Sequence, residues 1–343
     1  MVFPEYASRD NSNVFIGTTR QVLGGVVIPG GRNETTTFHR LTLSVPTNPD
    51  LGQIAWPRRN QPVDPSQQYV FTGLHDFPSN SAFRSALSSE LADRPKGKRE
   101  VVIYVHGFNN SFSDGVLRLA QLDRDFGFDG VAVHYSWPSA AKPLAYEHDR
   151  QAALFSRDGL EALIEEVVAA EPESVTIMAH SMGAILAMEA LRQIAIANPG
   201  RVDDVVDGVV LISPDLDVDV FRMQAARIGD LPKSFAIFVS DKDRALHLSA
   251  LLSGKGQRLG NINEIERISD LSITVVNVTA FSEGLGHFAV GQSPALIKML
   301  RNVGAIEAAF RTDRSGRTGL LPGAVLTVRN ATQLILNPVA GLQ

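Results

Sequence analysis

The chain of 343 residues is 44% apolar, carries a formal charge of −5 and contains no cysteine. Its length suits one large domain or two ordinary ones with a closed core, and the missing cysteines exclude disulfides, thiolate metal sites and a cysteine nucleophile. Mild acidity with scattered basic residues excludes a field that would gather nucleic acid.

The N-terminus, MVFPEYASRDNSN, lacks the basic start and apolar run of a signal peptide, and no stretch of about 18 apolar residues is present. The expectation is a soluble chain without a transmembrane segment, cytoplasmic as given, or periplasmic or secreted if a leader was trimmed ahead of Met1. Residues 1–98 are rich in Pro, Asn and Ser and read as a loop-rich N-terminal extension whose short strands, Asn13–Gly17 and Thr36–Val45, pack on a core. RPKGKRE at 94–100 reads as a solvated boundary.

From Val101 the character changes to short apolar runs alternating with helical patterns, which predicts a mostly parallel sheet covered on both faces. VVIYVHG (101–107) is a strand, Asp114–Asp125 a helix, GVAVHYSW (130–137) a strand, and Leu144–Ala170 one long helix or two. SVTIMA (174–179) is followed by a helix over Met182–Ala197, GVVLISP (208–214) by a helix in DVDVFRMQAARI (217–228), and FAIFVS (235–240) by a helix over Asp243–Leu252. ITVVNVT (273–279) is the sixth strand of a doubly wound α/β core, 99–310, and Pro294 opens a closing helix to about Phe310. The tail, 311–343, ends in AVLTVRNATQLILNPV, a strand or hairpin laid on the domain.

In a parallel sheet ligands bind beyond the carboxyl ends of the strands, and Ser181 in VTIMAHSMGAIL (175–186) stands there. A nucleophile elbow needs small residues two before and two after its serine, because the turn brings strand and helix together; Ala179 and Gly183 meet this, alanine replacing the usual glycine. Serine is also a favoured helix N-cap, so the pentapeptide alone leaves both readings open. An oxyanion hole is available upstream: in His106-Gly107-Phe108-Asn109-Asn110 the Phe108 amide can face a developing charge, with the Met182 amide as second donor.

Elbow enzymes carry serine, acid and histidine in that chain order, which leaves His287 and His247 as candidate bases. His287 lies in a glycine-rich loop after a strand and is preferred to His247 on a helix. His39, His75, His134 and His148 read as structural or surface residues. His180 is expected to point away from the nucleophile, and His106 to support the oxyanion loop or stabilise its turn. Asp243 after FAIFVS is the preferred acid and Asp215 in SPDLDVDVF the alternative, with Asp241 nearby; both Asp243 and Asp215 also suit helix capping. His106, Gly107, Asn109 and Trp137, with Phe108, Phe112 and Pro138, are the candidate lining of an acyl pocket, although the aromatic side chains equally suit a core. The chemistry needs neither metal nor organic cofactor.

Together, His106-Gly107-Phe108-Asn109, Ser136-Trp137-Pro138-Ser139, Ala179-His180-Ser181-Met182-Gly183 and Ser213-Pro214-Asp215-Leu216-Asp217 resemble the bacterial α/β-hydrolases of the esterase/lipase superfamily long catalogued as a domain of unknown function. VFIGTTRQ and FHRLTLSVP are similar to that family's start, and the resemblance spans about residues 13–300. It implies the α/β-hydrolase fold and a serine hydrolase, most simply a carboxylesterase on small-molecule esters of short to medium acyl chain; it implies no particular substrate, and it keeps Asp215 open as the acid. The alternatives are a lipase with Val218–Ile228 as lid, a polyester or plasticiser hydrolase, and a non-catalytic interaction protein on the same scaffold. SGKGQRLG (253–260) does not make the GxxxxGK loop of a nucleotide site. Oligomeric state is not legible.

Overall fold

Strands rich in β-branched residues and buried on both faces form a sheet whose two faces the helices cover. In the computed structural model of the chain, residues 2–6, 11–23, 26–47, 49–56, 62–252, 257–262, 265–282, 286–301, 323–328 and 330–337 are described. The elements in chain order are β1 (Asn11–Leu23), β2 (Val26–Ser44), β3 (Val70–Asp76), α1 (Asn80–Ala92), β4 (Glu100–Val105), α2 (Phe112–Phe126), β5 (Val131–Ser136), α3 (Tyr146–Phe155), α4 (Arg157–Val168), β6 (Ser174–His180) and α5 (Gly183–Ala197). Then come α6 (Arg201–Val205), β7 (Gly208–Ile212), α7 (Val218–Ile228), β8 (Ser234–Val239), α8 (Arg244–Leu252), β9 (Thr274–Asn277), α9 (Ala289–Gln292), α10 (Pro294–Leu300), β10 (Gly323–Val328) and β11 (Ala331–Leu336).

Among the described residues these strands form one sheet in the order β10-β11-β9-β8-β7-β6-β4-β5-β1-β2-β3. Pairing is parallel from β11 through β1, while β2, β3 and β10 run antiparallel. Leu87, Leu163, Leu191 and Phe221 of α1, α4, α5 and α7 bury one face. Val116, Leu119 and Leu296 of α2 and α10 bury the other. From β4 the chain winds one way to β5 and the other way to β6. The strand order therefore reverses between β4 and β6, where a doubly wound sheet opens a crevice at its carboxyl edge.

The N-terminal extension differs from its sequence reading. β1 and β2 form a long hairpin, and β1 pairs in parallel with β5 from Val14↔Ala132 to Thr18↔Ser136, so the extension continues the core sheet. Thr18, Thr19 and Arg20 read as polar and loop-like, yet they are 1%, 3% and 2% exposed. Hydrogen bonds offset their burial: Thr18 Oγ1 donates to the Ser136 carbonyl at 2.6 Å, and Thr19 Oγ1 lies 2.9 Å from Ser156 Oγ. Residues 144–170 form two helices broken at Ser156. The tail is a hairpin whose β11 pairs in parallel with β9 and so extends the sheet. Residues 302–310 of the closing helix, 311–322 and 338–343 of the tail, and 253–256 of SGKGQRLG lie outside the described residues. α7 is no free lid, because Phe221, Ala225 and Ile228 are already buried in the core. No helix among the described residues is long and apolar enough to cross a membrane.

Candidate active site

β6 ends at His180 and α5 begins at Gly183, leaving two residues for the reversal. Ser181 takes φ 51°, a left-handed conformation that serine rarely adopts without compensation. Here its amide donates to the Ile212 carbonyl at 3.0 Å and its carbonyl accepts from the Asp215 amide at 3.1 Å. The turn presses against the end of β4. A methyl group on Gly183 would come within 2.5 Å of the His106 carbonyl oxygen, and one on Gly107 within 2.9 Å of Ser181 Cβ, so both positions need glycine. Ala179, two residues before the serine, is fully buried.

Ser181 Oγ lies 2.8 Å from His287 Nε2, and His287 Nδ1 lies 2.8 and 3.0 Å from the two carboxylate oxygens of Asp243. Ser181 is 2% exposed and Asp243 0%, whereas the His287 side chain keeps 21% of its surface open. Asp243 Oδ1 also accepts from the Leu246 amide at 3.0 Å, so one carboxylate caps α8 and faces the imidazole. Asp215 is not beside His287. Its carboxylate accepts from Tyr146 Oη at 2.9 Å and from Ser249 Oγ, and it forms an ion pair with the buried Arg258, whose Nε stands 3.2 Å away. His247 Nε2 faces the Asp241 carbonyl at 3.3 Å on an exposed surface, and the Asp241 amide donates to Thr279 Oγ1 at 3.0 Å.

The loop after β4 is tied from several sides. Asn109, at φ 56°, donates its amide to Asp149 Oδ2 at 3.1 Å, and the Asn110 amide donates to Ser139 Oγ at 3.2 Å. The Asn110 side chain donates to the Phe108 carbonyl at 2.8 Å. Neither the Phe108 amide nor the Met182 amide has an intramolecular acceptor among the described residues. Of the four residues expected to line a pocket, Gly107 abuts Ser181 and Asn109 is exposed. His106 and Trp137 instead stack at 4.6 Å with 0% exposure, and Trp137 Nε1 donates to the His106 carbonyl at 2.7 Å. They brace the end of β4 from behind, which corrects their assignment to an open acyl surface. Phe108 is half-buried against Tyr146 at 5.5 Å. A separate cavity of about 600 Å³, lined by Thr19, Arg32, Glu34, Gln151, Phe155 and Arg157 among others, includes none of these residues.

His106 is held neutral, because burial and the neighbouring Arg20 push its pKa well below the ordinary imidazole value. A neutral ring has one N–H. Nδ1 faces the Gly107 carbonyl at 2.9 Å, and Nε2 faces both Arg20 Nη2 at 3.2 Å and the Trp137 carbonyl at 3.0 Å. His180 does not turn away from the site as expected. It packs 4.9 Å from the His287 ring and 4.4 Å from that of Phe288, with Nε2 3.3 Å from the His287 carbonyl. Burial, then His287, hold its pKa well down, so a neutral His180 donates to that carbonyl and steadies the loop. Sequence reasoning missed this role, along with Arg20 and Tyr146, whose partners lie far along the chain. Among the described residues no group of three or more His, Asp or Glu side chains is placed to hold a metal ion.

Residues 79–303 match the family described as alpha/beta hydrolase of unknown function (DUF900). No curated protein matches the chain. Among solved structures, lipase B of Aspergillus fumigatus is similar at 17% identity and a TM-score of 0.26, over 50% of this chain. The match spans only 36% of that lipase's length. A lipase-esterase related protein from Clostridium acetobutylicum shares 14% identity over 60% of this chain and 83% of its own, with a TM-score of 0.27. Carboxylesterase CesB from Bacillus subtilis shares 12% over 70% and 99%, with a TM-score of 0.25.

Proposed function

The chain belongs to the α/β-hydrolase family of unknown function matched over residues 79–303, and on that footing we propose that it cleaves carboxylic esters of short to medium acyl chain through an acyl-enzyme on Ser181. The observation that carries the reading is the continuous line from Ser181 Oγ through His287 to Asp243, with contacts of 2.8 and 2.8 Å, built on a serine at φ 51°.

His287 Nε2 takes the hydroxyl proton as Oγ attacks the acyl carbon, while the Nδ1 proton stays on the ring and is donated to the Asp243 carboxylate, which fixes the tautomer and stabilises the imidazolium. The unpaired amides of Phe108 and Met182 receive the oxyanion, Met182 with the N-terminal dipole of α5 behind it. The tetrahedral intermediate expels the alcohol, which leaves with the Nε2 proton; a water activated the same way then frees the acid. A short to medium acyl group is favoured because the aromatic side chains around the loop are already engaged, Trp137 on His106 and Phe108 on Tyr146.

The test is a rate series on p-nitrophenyl esters of increasing acyl length, alongside a fluorophosphonate that labels a reactive serine. Labelling is expected at Ser181, and Ser181→Ala and His287→Ala are each expected to lose at least about a thousandfold in kcat while remaining folded. An unchanged rate in Ser181→Ala ends the assignment; a maximum at long chains moves it to a lipase.

A further inference from the structure

Arg20 is 2% exposed, on a strand of the N-terminal hairpin 86 residues before His106. β1 runs parallel to β5 as far as Thr18↔Ser136, and its register with β2 shifts on either side of Arg20. Such an irregularity re-aims a side chain, here over the carboxyl ends of β4 and β5. Four of the five guanidinium N–H groups have partners there. Nε donates to Ser136 Oγ at 2.8 Å, Nη1 to the Ser139 carbonyl at 3.0 Å, and Nη2 to the Asn110 carbonyl at 2.9 Å and to His106 Nε2 at 3.2 Å.

The last contact reaches the reacting atoms in two steps. His106 Nε2 has two neighbours that demand opposite protonation: Arg20 Nη2, which donates, and the Trp137 carbonyl at 3.0 Å, which accepts. With Arg20 in place Nε2 is the acceptor, and the single ring proton sits on Nδ1, where it donates to the Gly107 carbonyl. That carbonyl also accepts from Asn110 Nδ2 at 3.3 Å. A trans peptide sets its N–H opposite its C=O, so holding the Gly107 oxygen fixes the direction of the Phe108 amide.

We infer that Arg20 is a positioning residue of the proposed hydrolase: it sets the His106 tautomer, which holds the Gly107 carbonyl and thereby aims the Phe108 N–H at the oxyanion. The inference rests on the ester-hydrolase reading for the reaction step but not for the tautomer. A buried charge is a poor device for stability alone, and burial has brought the Arg20 pKa down to about 10 against the pull of Asp149 and Asp114.

The test combines ring-nitrogen NMR of His106 with the kinetics of ester cleavage and the affinity of an alkyl trifluoromethyl ketone, which places a negative oxygen where the oxyanion forms. The wild type should show a protonated Nδ1 and a bare Nε2. In Arg20→Met the proton should move to Nε2, which then donates to Trp137, with kcat and ketone affinity both falling about a hundredfold and KM nearly unchanged. Arg20→Lys, which keeps one donor toward His106, should recover most of both, and it serves if Arg20→Met does not fold. A wild-type ring protonated on Nε2 overturns the inference without any variant. So does an Arg20→Met protein whose tautomer moves while kcat and ketone affinity stay. If Ser181 of the wild type takes up no fluorophosphonate, the ester-hydrolase reading fails instead, and the NMR still decides whether Arg20 sets the tautomer.

Discussion

His287 Nδ1 has a carboxylate with both oxygens inside 3.0 Å, and Asp215 already has three partners of its own, which separates the two aspartates by what each loses on conversion to asparagine. Asp243→Asn keeps the shape but offers an amide where an acceptor is needed, favouring the wrong imidazole tautomer. We expect kcat to fall about a thousandfold or more at neutral pH with the fold intact. Asp215→Asn leaves His287 untouched and removes the counter-charge of Arg258, itself 7% exposed. The rate per folded molecule should stay within about tenfold while urea unfolding shows a loss of about 3 kcal/mol. The reverse pattern would move the acid to Asp215. At this scale Ser181, Asp243 and His287 were singled out through chain order and strand ends, since each follows an apolar run. A residue whose meaning lies in a distant partner escapes that reading. His180 acts on a carbonyl 107 residues away, and Arg20 on groups 86 to 119 residues away, and neither leaves a local pattern.

The loop carrying the proposed oxyanion donor is held at its far end by the element that follows it. α2 begins directly after Ser111, which closes a capping box: Ser111 Oγ accepts from the Asp114 amide at 3.2 Å, and Asp114 Oδ2 accepts from the Ser111 amide at 2.7 Å. Ser111→Ala opens one half of that box, and we expect about 1 kcal/mol less stability in urea unfolding with KM unchanged. A loss of more than tenfold in kcat would show that the cap reaches the loop. The central strands were legible because burial on both faces writes them as continuous apolar runs, VVIYV and FAIFV among them. Of the β1–β2 hairpin the strand candidates Asn13–Gly17 and Thr36–Val45 were legible, but its far end was not, because buried Thr18, Thr19 and Arg20 replace apolar contacts with hydrogen bonds, and PGGRNETT reads as a loop although β2 continues through it. α6, five residues long, is too short to show a periodicity, and β11 sits beyond β9 through a pairing that no local feature announces.

The whole molecule carries an acid-sensitive charge pattern. His106, His134 and His180 are buried with pKa values pushed down by burial first, that of His134 to about 3. In the unfolded chain each takes a proton near pH 6.5. The unfolded state therefore binds more protons below that pH, and stability falls as pH falls from about 6.5 toward the folded values. Asp123 opposes this, because burial raises its carboxyl to about 6 and folding keeps its proton between about pH 4 and 6. Glu161, whose carboxyl is also raised by burial, acts in the same direction as Asp123, so three groups act against two. The imidazoles outnumber the carboxyls, so acidification below about pH 6.5 carries a net loss of stability. We expect urea midpoints to decline from pH 7 to pH 5, and the decline to flatten in His134→Asn. Asparagine keeps a donor for the Tyr104 carbonyl, which His134 Nδ1 meets at 3.0 Å, and removes one titrating ring. His106 lies 5.5 Å from His134 and holds the Gly107 carbonyl, so the same acidification that unfolds the protein also loosens the loop beside Ser181. Ester cleavage should then fall over the pH range where the unfolding transition begins. A midpoint that stays level or rises down to pH 5 would show that these rings do not dominate the acid response.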